Sequence, residues 1–385
     1  MRFREFTDSW TLIPIKKMLR FQNGINADST KYGKGIKYIS VSDILNNQYI
    51  TYDCIKGLID IDEKTFNKFI VEYGDILFQR SSETFEDIGR ANVYLDKEHS
   101  ATFGGFVIRG KKISDYNPLF FRYLLCTHNA RKQTVRMGAG AQHYNIGQEG
   151  LEKICLYFPC LQEQQKISDF LSAIDNKIAA QNKIISDLKV LKKELCNKVF
   201  GKGSAVRLGD FIEEVTTRNK SNSCENVLSV SNKMGFIKQS EQFEDRTVAS
   251  ENKSNYKVVT EGCFAYNPAR INVGSIALLS TYKIGIISPM YVCFKTKSNL
   301  NSEYLNFYYQ SGFFYKELQK KLEGSVRQCL TYENMSEILI PYVGIEEQKA
   351  IAVTLNKFAT LIATEEKYIK LLQKQKSYFL NAMFI

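Results

Sequence analysis

The sequence has only three His, and its nine Cys fall without paired spacing. The closest pair, Cys155 and Cys160, does not form CxxC. A zinc centre needs clustered Cys or His ligands, so none is expected; the cysteines read as small apolar side chains in a reducing cytosol. No uncharged apolar run approaches the ~20 residues a membrane span needs. The first residues, MRFREFTDSW, lack the apolar stretch of a signal peptide. A soluble, cytoplasmic protein that meets no membrane is expected.

Catalytic signatures are missing as well. His143 has no identifiable Ser, Cys or Asp partner. Asp60, Asp62 and Glu63 with Lys64 lack the Pro and the spacing of a nuclease carboxylate cluster that holds Mg²⁺, and read as a charged turn. Asn117-Pro118-Leu119-Phe120 and Asn267-Pro268-Ala269-Arg270 each lack the second Pro of the Asn-Pro-Pro-aromatic motif of adenine methyltransferases. No Gly-rich nucleoside loop follows a strand where one is required. Gly138-Ala139-Gly140 precedes no helix start, so it fails as a phosphate cradle.

What is present is a long heptad-like stripe. From Leu161 to Phe200, apolar residues recur at Ile167, Leu171, Ile174, Ile178, Ile185, Leu188, Leu195 and Val199, with polar interruptions at Gln181 and Lys192. Steps of four and three average 3.5 residues, the period of a seam between supercoiled helices. No Pro or Gly lies inside the stretch. The pattern returns 184 residues later (Ile351 after Ile167) as Ile351, Leu355, Phe358, Ile362, Ile369, Leu372, Phe379 and Met383. Glu365 and Lys376 repeat the interruptions, and Glu347-Gln348 repeats Glu163-Gln164. One such stripe needs a partner to bury it, and the other helix is the obvious one.

Residues 1–160 and 201–343 are punctuated by Gly, Asn, Asp and Ser between short β-branched and aromatic runs. They read as mixed, β-rich units. Tyr38–Ser42, Gly74–Phe78 and Phe103–Arg109 read as strands, and a short helix is expected near Pro118–Cys126 and near Ser302–Gln310. Faint matches join the halves, such as Ile39–Ser42 with Leu228–Ser231 and Val71–Phe78 with Val259–Tyr266. The layout is unit, helix, unit, helix: an α+β chain with an internal repeat and approximate two-fold symmetry. Boundaries are expected at 1–160, 161–200, 201–343 and 344–385, the halves meeting at Gly201-Lys202-Gly203-Ser204. Lys+Arg 52 against Asp+Glu 41 leaves +11, a surplus that favours an anionic partner, nucleic acid by default.

These residues resemble the DNA-specificity subunits of type I restriction–modification enzymes over essentially the whole chain. The resemblance is carried by Leu161–Ile167 and Glu346–Ile351 opening the helices, by Tyr266–Gly274 and Gly324–Gln328, by Gly74–Arg80, and by Arg2-Phe3 through Trp10. It implies two target-recognition domains, each reading half of a split double-stranded DNA site. The helices would pack antiparallel as a ruler between them. Two methyltransferase subunits would dock on the helical regions, and a restriction subunit that translocates would join. S-adenosylmethionine, ATP and Mg²⁺ would belong to those partners, leaving this chain non-catalytic and without a cofactor. A ~40-residue helix spans about 60 Å.

A base-reading surface needs Arg, Lys, Asn and Gln on loops that reach groove edges. In the first unit the candidates are Gln79, Arg80, Ser81 and Ser82, then Lys34 for a phosphate, then Gln142 and His143. In the second they are Asn267, Arg270 and Asn272, then Arg327 and Gln328. Two other readings stay open: a self-sufficient methyltransferase or nuclease fused to its own reader, and a coiled-coil scaffold without nucleic acid.

Overall fold

The computed structural model describes residues 2–140, 143–232, 234–242, 253–322 and 329–384. The chain divides into two compact units, residues 1–182 with 368–385, and residues 183–367. Each contains part of both long helices, Leu161–Phe200 and Ile345–Met383.

The first unit is closed at its base by an antiparallel ribbon, Thr11–Pro14 against Cys155–Phe158. Above it lies an antiparallel four-stranded sheet in the order Leu19–Asn23, Val107–Lys112, Ile76–Gln79, Ala91–Val93. A second sheet orders Gly57–Ile59, Tyr32–Ile39 and Thr102–Phe103, the last pair parallel. The second unit repeats the plan. Its ribbon is Ser204–Arg207 with Leu339–Tyr342, and its first sheet runs Ile212–Glu214, Val292–Thr296, Cys263–Tyr266, Ile276–Leu278. Its other sheet orders Gly235–Lys238, Val227–Ser231, Ile284–Ile287 and Lys257–Thr260, again with one parallel pair, Val227–Ser231 beside Ile284–Ile287. The fourth strand has only a vestige in the first unit, the bridge Val71 to Ala101.

Two strand expectations need correction. Tyr38–Ser42 does not continue as a strand past Ile39. Ser40 and Asp43 form a capping box, the Ser40 amide and hydroxyl both donating to Asp43 Oδ2 at 2.8 and 2.7 Å, and the chain turns into a helix, Val41–Asn46. Phe103–Arg109 is two strands in two sheets, broken at Gly104-Gly105. The break is tight against the backbone of a neighbouring turn: a Cβ on Gly24 would lie 2.1 Å from the Gly104 carbonyl oxygen, so only glycine fits there.

The expected short helices are Pro118–Leu125 and Ser302–Tyr309. Asn117 and Asn301 cap them, each side chain accepting from the amide three residues on, at 2.8 and 2.9 Å. A second helix follows each, His128–Arg136 and Gly312–Gln319, capped by Thr127 and Ser311.

The repeated Glu-Gln pair has a defined task at the start of each long helix. Gln164 is buried; its Oε1 accepts from the Asn117 amide at 3.0 Å and its Nε2 donates to the Pro159 carbonyl at 2.9 Å. Gln348 does the same with Asn301, at 2.8 Å, and Val343, at 2.8 Å. One amide therefore ties the long helix to the short one by satisfying backbone groups at both starts. Glu163, also buried, takes a two-pronged ion pair from Arg2 at 2.6 and 2.7 Å.

Within each unit the long helices run antiparallel. In the first, Phe170 meets Phe379 edge to face, Lys177 lies over the Tyr368 ring, and Lys376 pairs with Asp175 at 2.5 Å. In the second, Lys189 pairs with Glu366 at 2.6 Å, while Leu195 and Val199 pack in one core with Ile351 and Leu355. The stripe residues of both helices are all buried or half-buried. The interruptions have partners too. Lys376 and Lys192, which repeat each other, sit over Tyr123 and Phe307, equivalent rings on the two short helices.

Candidate nucleic-acid interface

In the first unit the strand Ile76–Gln79 runs out of the sheet and delivers Arg80, Ser81 and Ser82 to its end. A short ribbon then pairs Ser81 with Asn145 and Ser82 with Tyr144, so the loop carrying His143 lies against the loop carrying the serines. The Ile146 amide donates to the Arg80 carbonyl at 3.0 Å, and Ser81 Oγ donates to Asn145 Oδ1 at 2.5 Å. Two stretches far apart in sequence become one surface.

That surface holds an open cleft of ≈ 410 Å³ lined by Gln79, Ser82, Glu83, Thr84, Asp87 and His143, among others. Gln79 forms part of it although only 5% exposed. Its Nε2 donates to the Ser81 carbonyl at 2.8 Å, whereas its Oε1 has no donor among the described residues. Arg80 is half-buried, one guanidinium nitrogen donating to the Gly105 carbonyl at 3.3 Å. Asp87 is occupied on both oxygens, by Arg90 at 2.7 Å and by the Thr84 hydroxyl at 2.8 Å. Glu83 is exposed. Gln142 lies outside the described residues.

Lys34 stands elsewhere in the unit, on Tyr32–Ile39 between two glycines with φ +97 and +93, exposed and paired with Asp60 at 3.1 Å. The Asp60–Lys64 group is a helix start, not the expected turn: Asp62 caps the helix Glu63–Lys68, accepting from the Thr65 amide at 2.7 Å and the Thr65 hydroxyl at 3.1 Å, and these bonds hold its carboxyl below the usual carboxylate range.

At the start of the strand Ile76–Gln79, the end away from the cleft, lie buried polar groups. Asp75 and Arg109 lie 4.0 Å apart, and Arg109 also donates to Gln22 Oε1 at 2.8 Å. Burial raises the Asp75 carboxyl, against the pull of the Lys112 and Glu72 amides. Burial also lowers the Arg109 guanidinium, whose Nε and Nη1 make no hydrogen bond among the described residues. In the second unit's register these places are taken by Cys263 and Cys293, and burial pushes the Cys293 thiol up to about 12. Both arrangements fill the space between the sheets; neither reaches solvent.

The second unit builds the matching corner differently. Phe78 and Tyr266 are equivalent by register. Twelve residues, 79–90, link Phe78 to Ala91, whereas nine, 267–275, link Tyr266 to Ile276. Asn267, the counterpart of Gln79, is buried too, and its Oδ1 accepts from the Ala269 amide at 3.0 Å. The shorter loop closes in a tight turn, Ile271–Val273, ended by Gly274 at φ +85. Arg270 is exposed and Asn272 half-buried. With Ser231 and Asn232, Arg270 lines a small depression of ≈ 40 Å³. Arg327 and Gln328 lie outside the described residues. The Leu330 amide donates to the Pro268 carbonyl at 3.1 Å, repeating the Ile146–Arg80 bond of the first unit.

The structure therefore gathers Gln79–Ser82 with His143 in one unit and Asn267–Asn272 in the other, at equivalent corners; Lys34 joins neither. Glu83 and Thr84, which continue the same strand-end stretch, line the cleft too; sequence reasoning missed Leu45 and Asp87, which also line it, and no local signal ties Leu45 to that loop. Among the described residues no helix is long and apolar enough to cross a membrane, and no group of three or more His, Cys, Asp and Glu is gathered as a metal-binding set.

The profile of the Type I restriction modification DNA specificity domain matches this chain twice, over residues 10–190 and 204–374. The MjaX type I restriction enzyme specificity subunit of Methanocaldococcus jannaschii is 25% identical over 406 residues, spanning 98% of this chain and 93% of its own. The MjaVIII specificity subunit of the same organism is 25% identical over 403 residues, spanning 92% and 90%. The crystal structure of a type I restriction–modification S subunit from M. genitalium superposes with a TM-score of 0.62 over 100% of this chain and 99% of that one. At 13% identity that likeness is one of fold.

Proposed function

This chain belongs to the type I restriction–modification DNA-specificity family, and from that membership we propose how its two halves divide the work. As a specificity subunit it recognises DNA sequence with two domains and is not itself a catalyst. In our reading, residues 1–160 and 201–343 are the two target-recognition domains, and each reads one half of a split site. Residues 161–200 and 344–385 are the spacer. The observation that supports this most directly is the duplication itself. Two corners with the same register and the same backbone bonds, at Arg80–Ile146 and Pro268–Leu330, carry different side chains. Equal scaffolds with unequal tips suit a reader of two unlike half-sites.

The contacts proposed for the first half are Arg80, Ser81, Ser82, Gln142 and His143, with Gln79 beneath them and Lys34 on a phosphate. For the second half they are Arg270 and Asn272, supported by Asn267, with Arg327 and Gln328. Phosphate contacts position the reader and base contacts specify. Two methyltransferase subunits dock on the helices, a restriction subunit completes the assembly, and the complex works in the cytoplasm.

The test is a change of ruler. Four residues inserted at matched points in both helices lengthen each by about 6 Å. The complex formed with the modification subunit should then methylate a site whose gap is nearly two base pairs longer, both half-sequences unchanged. An unaltered gap, read from the methylated adenines of the host genome, would rule the ruler out.

A further inference from the structure

Taking the first unit as a DNA reader, we propose that the cleft beside Gln79 accepts the exocyclic amino group of a base, cytosine N4 or adenine N6, with the Glu83 carboxylate as acceptor. Three observations converge on this chemistry. The first is the inventory of the lining. Among the described residues the cleft of ≈ 410 Å³ has no Lys or Arg in its wall; its side chains are a carboxamide, hydroxyls, two carboxylates, His143 and one apolar group, Leu45. Such a wall repels phosphate and attracts hydrogen-bond donors.

The second is which groups remain open. Asp87 is saturated by Arg90 and Thr84, and Ser82 Oγ already accepts from the Thr84 amide at 3.2 Å. Glu83 makes no hydrogen bond or ion pair among the described residues and is exposed at the rim. Gln79 is 5% exposed, its Nε2 fixed on the Ser81 carbonyl, and its Oε1 is left without a donor. A buried acceptor without a donor costs free energy, and a ligand that brings donors relieves it. Gln79 holds the Ser81 carbonyl and lines the cleft, and Glu83, exposed at the rim, is the group that meets the base.

The third is the base code. In the major groove adenine and cytosine present amino donors, while guanine and thymine present acceptors at the corresponding edge. A carboxylate facing an acceptor edge is unpaired and repelled, so the cleft discriminates through rejection as much as through attraction. Four residues beyond the equivalent pair Phe78 and Tyr266 the first unit has Ser82 and the second Arg270, an exposed cation, so the tips of the two loops differ in charge.

The experiment uses the complex of this chain with its modification subunit and duplexes containing its mapped target. Each adenine in turn is replaced by purine, and each cytosine by pyrimidin-2-one, which removes only the amino group. Wild-type complex should lose affinity about tenfold or more at one such position. With Glu83→Ala that particular penalty should disappear while the other positions keep theirs. Whether the responsive base is adenine or cytosine identifies the source of the amine. Identical penalty profiles for wild type and Glu83→Ala would overturn the amine assignment and leave the DNA-reading assignment standing. Absence of site-specific binding by the wild-type complex would overturn both. Glu83 is exposed, so its replacement does not disturb the core.

Discussion

Replacing Asp175 by Ala should destabilise the first unit far more than loss of a surface ion pair would. Asp175 is 6% exposed on the first long helix, and one carboxylate oxygen accepts from the Tyr123 hydroxyl at 2.7 Å while the other pairs with Lys376 at 2.5 Å. Tyr123 is fully buried, and the Lys376 side chain is 22% exposed. Removing the carboxylate strands a buried phenol O–H and a largely buried ammonium. A hydrogen bond to a charged group contributes about 1.5–3 kcal/mol, and removing one partner of a buried pair costs about 3–5 kcal/mol. Lys376 still reaches some water, so a loss of about 3 kcal/mol is expected. In native-state hydrogen exchange the amides of residues 119–125 should then lose protection about a hundredfold. For a unit of about 200 residues the thermal midpoint should fall about 6–12 °C. The second unit supplies its own control, because Phe307 and Ala359 stand where Tyr123 and Asp175 do, and Lys192 where Lys376 does. Copying that solution, Asp175→Ala with Tyr123→Phe should recover about 1 kcal/mol of the loss. A single-substitution effect below about 1 kcal/mol, the range of exposed pairs, would refute the reasoning, as would strict additivity of the double variant.

Lys192, half-buried over Phe307, has its ammonium pKa lowered by burial. The unfolded chain holds that proton more firmly, so the destabilisation is present below the folded value and fades as pH rises through the ordinary lysine range. Lys192→Met should raise the midpoint at neutral pH, with a margin that narrows toward alkaline pH; a margin that widens would contradict the sign. Gln164→Ala and Gln348→Ala each strand a backbone amide and a carbonyl at the helix starts, and each should cost about 2–3 kcal/mol in calorimetry. The exposed Gln165→Ala should cost under about 0.5 kcal/mol. Lys34→Ala should weaken DNA binding by the complex equally at specific and non-specific sites, and make the salt slope shallower by about 0.9. A change of base preference instead would place Lys34 on a base.

The long helices were legible because their signal is long and redundant, with the interruptions repeated along with the stripe. The short helices Pro118–Leu125 and Ser302–Tyr309 were legible because they are apolar enough to show their period. The companion helix His128–Arg136 was not: it buries only Ala130 and Thr134, so almost no stripe marks it, although Thr127 at its cap is a usable sign. Tyr38–Ser42 misled because β-branched residues outweighed the Ser40-x-x-Asp43 box that turns the chain. At the candidate site, residue type suggested readers but not depth. Gln79 and Asn267 look like groove-reaching amides in sequence, and both are buried and bonded to their own loops. Depth there is set by a sheet register that joins residues more than sixty positions apart, which no local pattern encodes.

The ribbons Thr11–Pro14 with Cys155–Phe158 and Ser204–Arg207 with Leu339–Tyr342 bring the two chain ends of each recognition module side by side. A module whose points of departure and return are hydrogen-bonded neighbours can be cut out and exchanged like a cassette. The graft needs to preserve the two short strands, the buried glutamine beside them and the side chains that pack each module on the long helices. A whole module moved between chains with those contacts kept should carry its specificity with it.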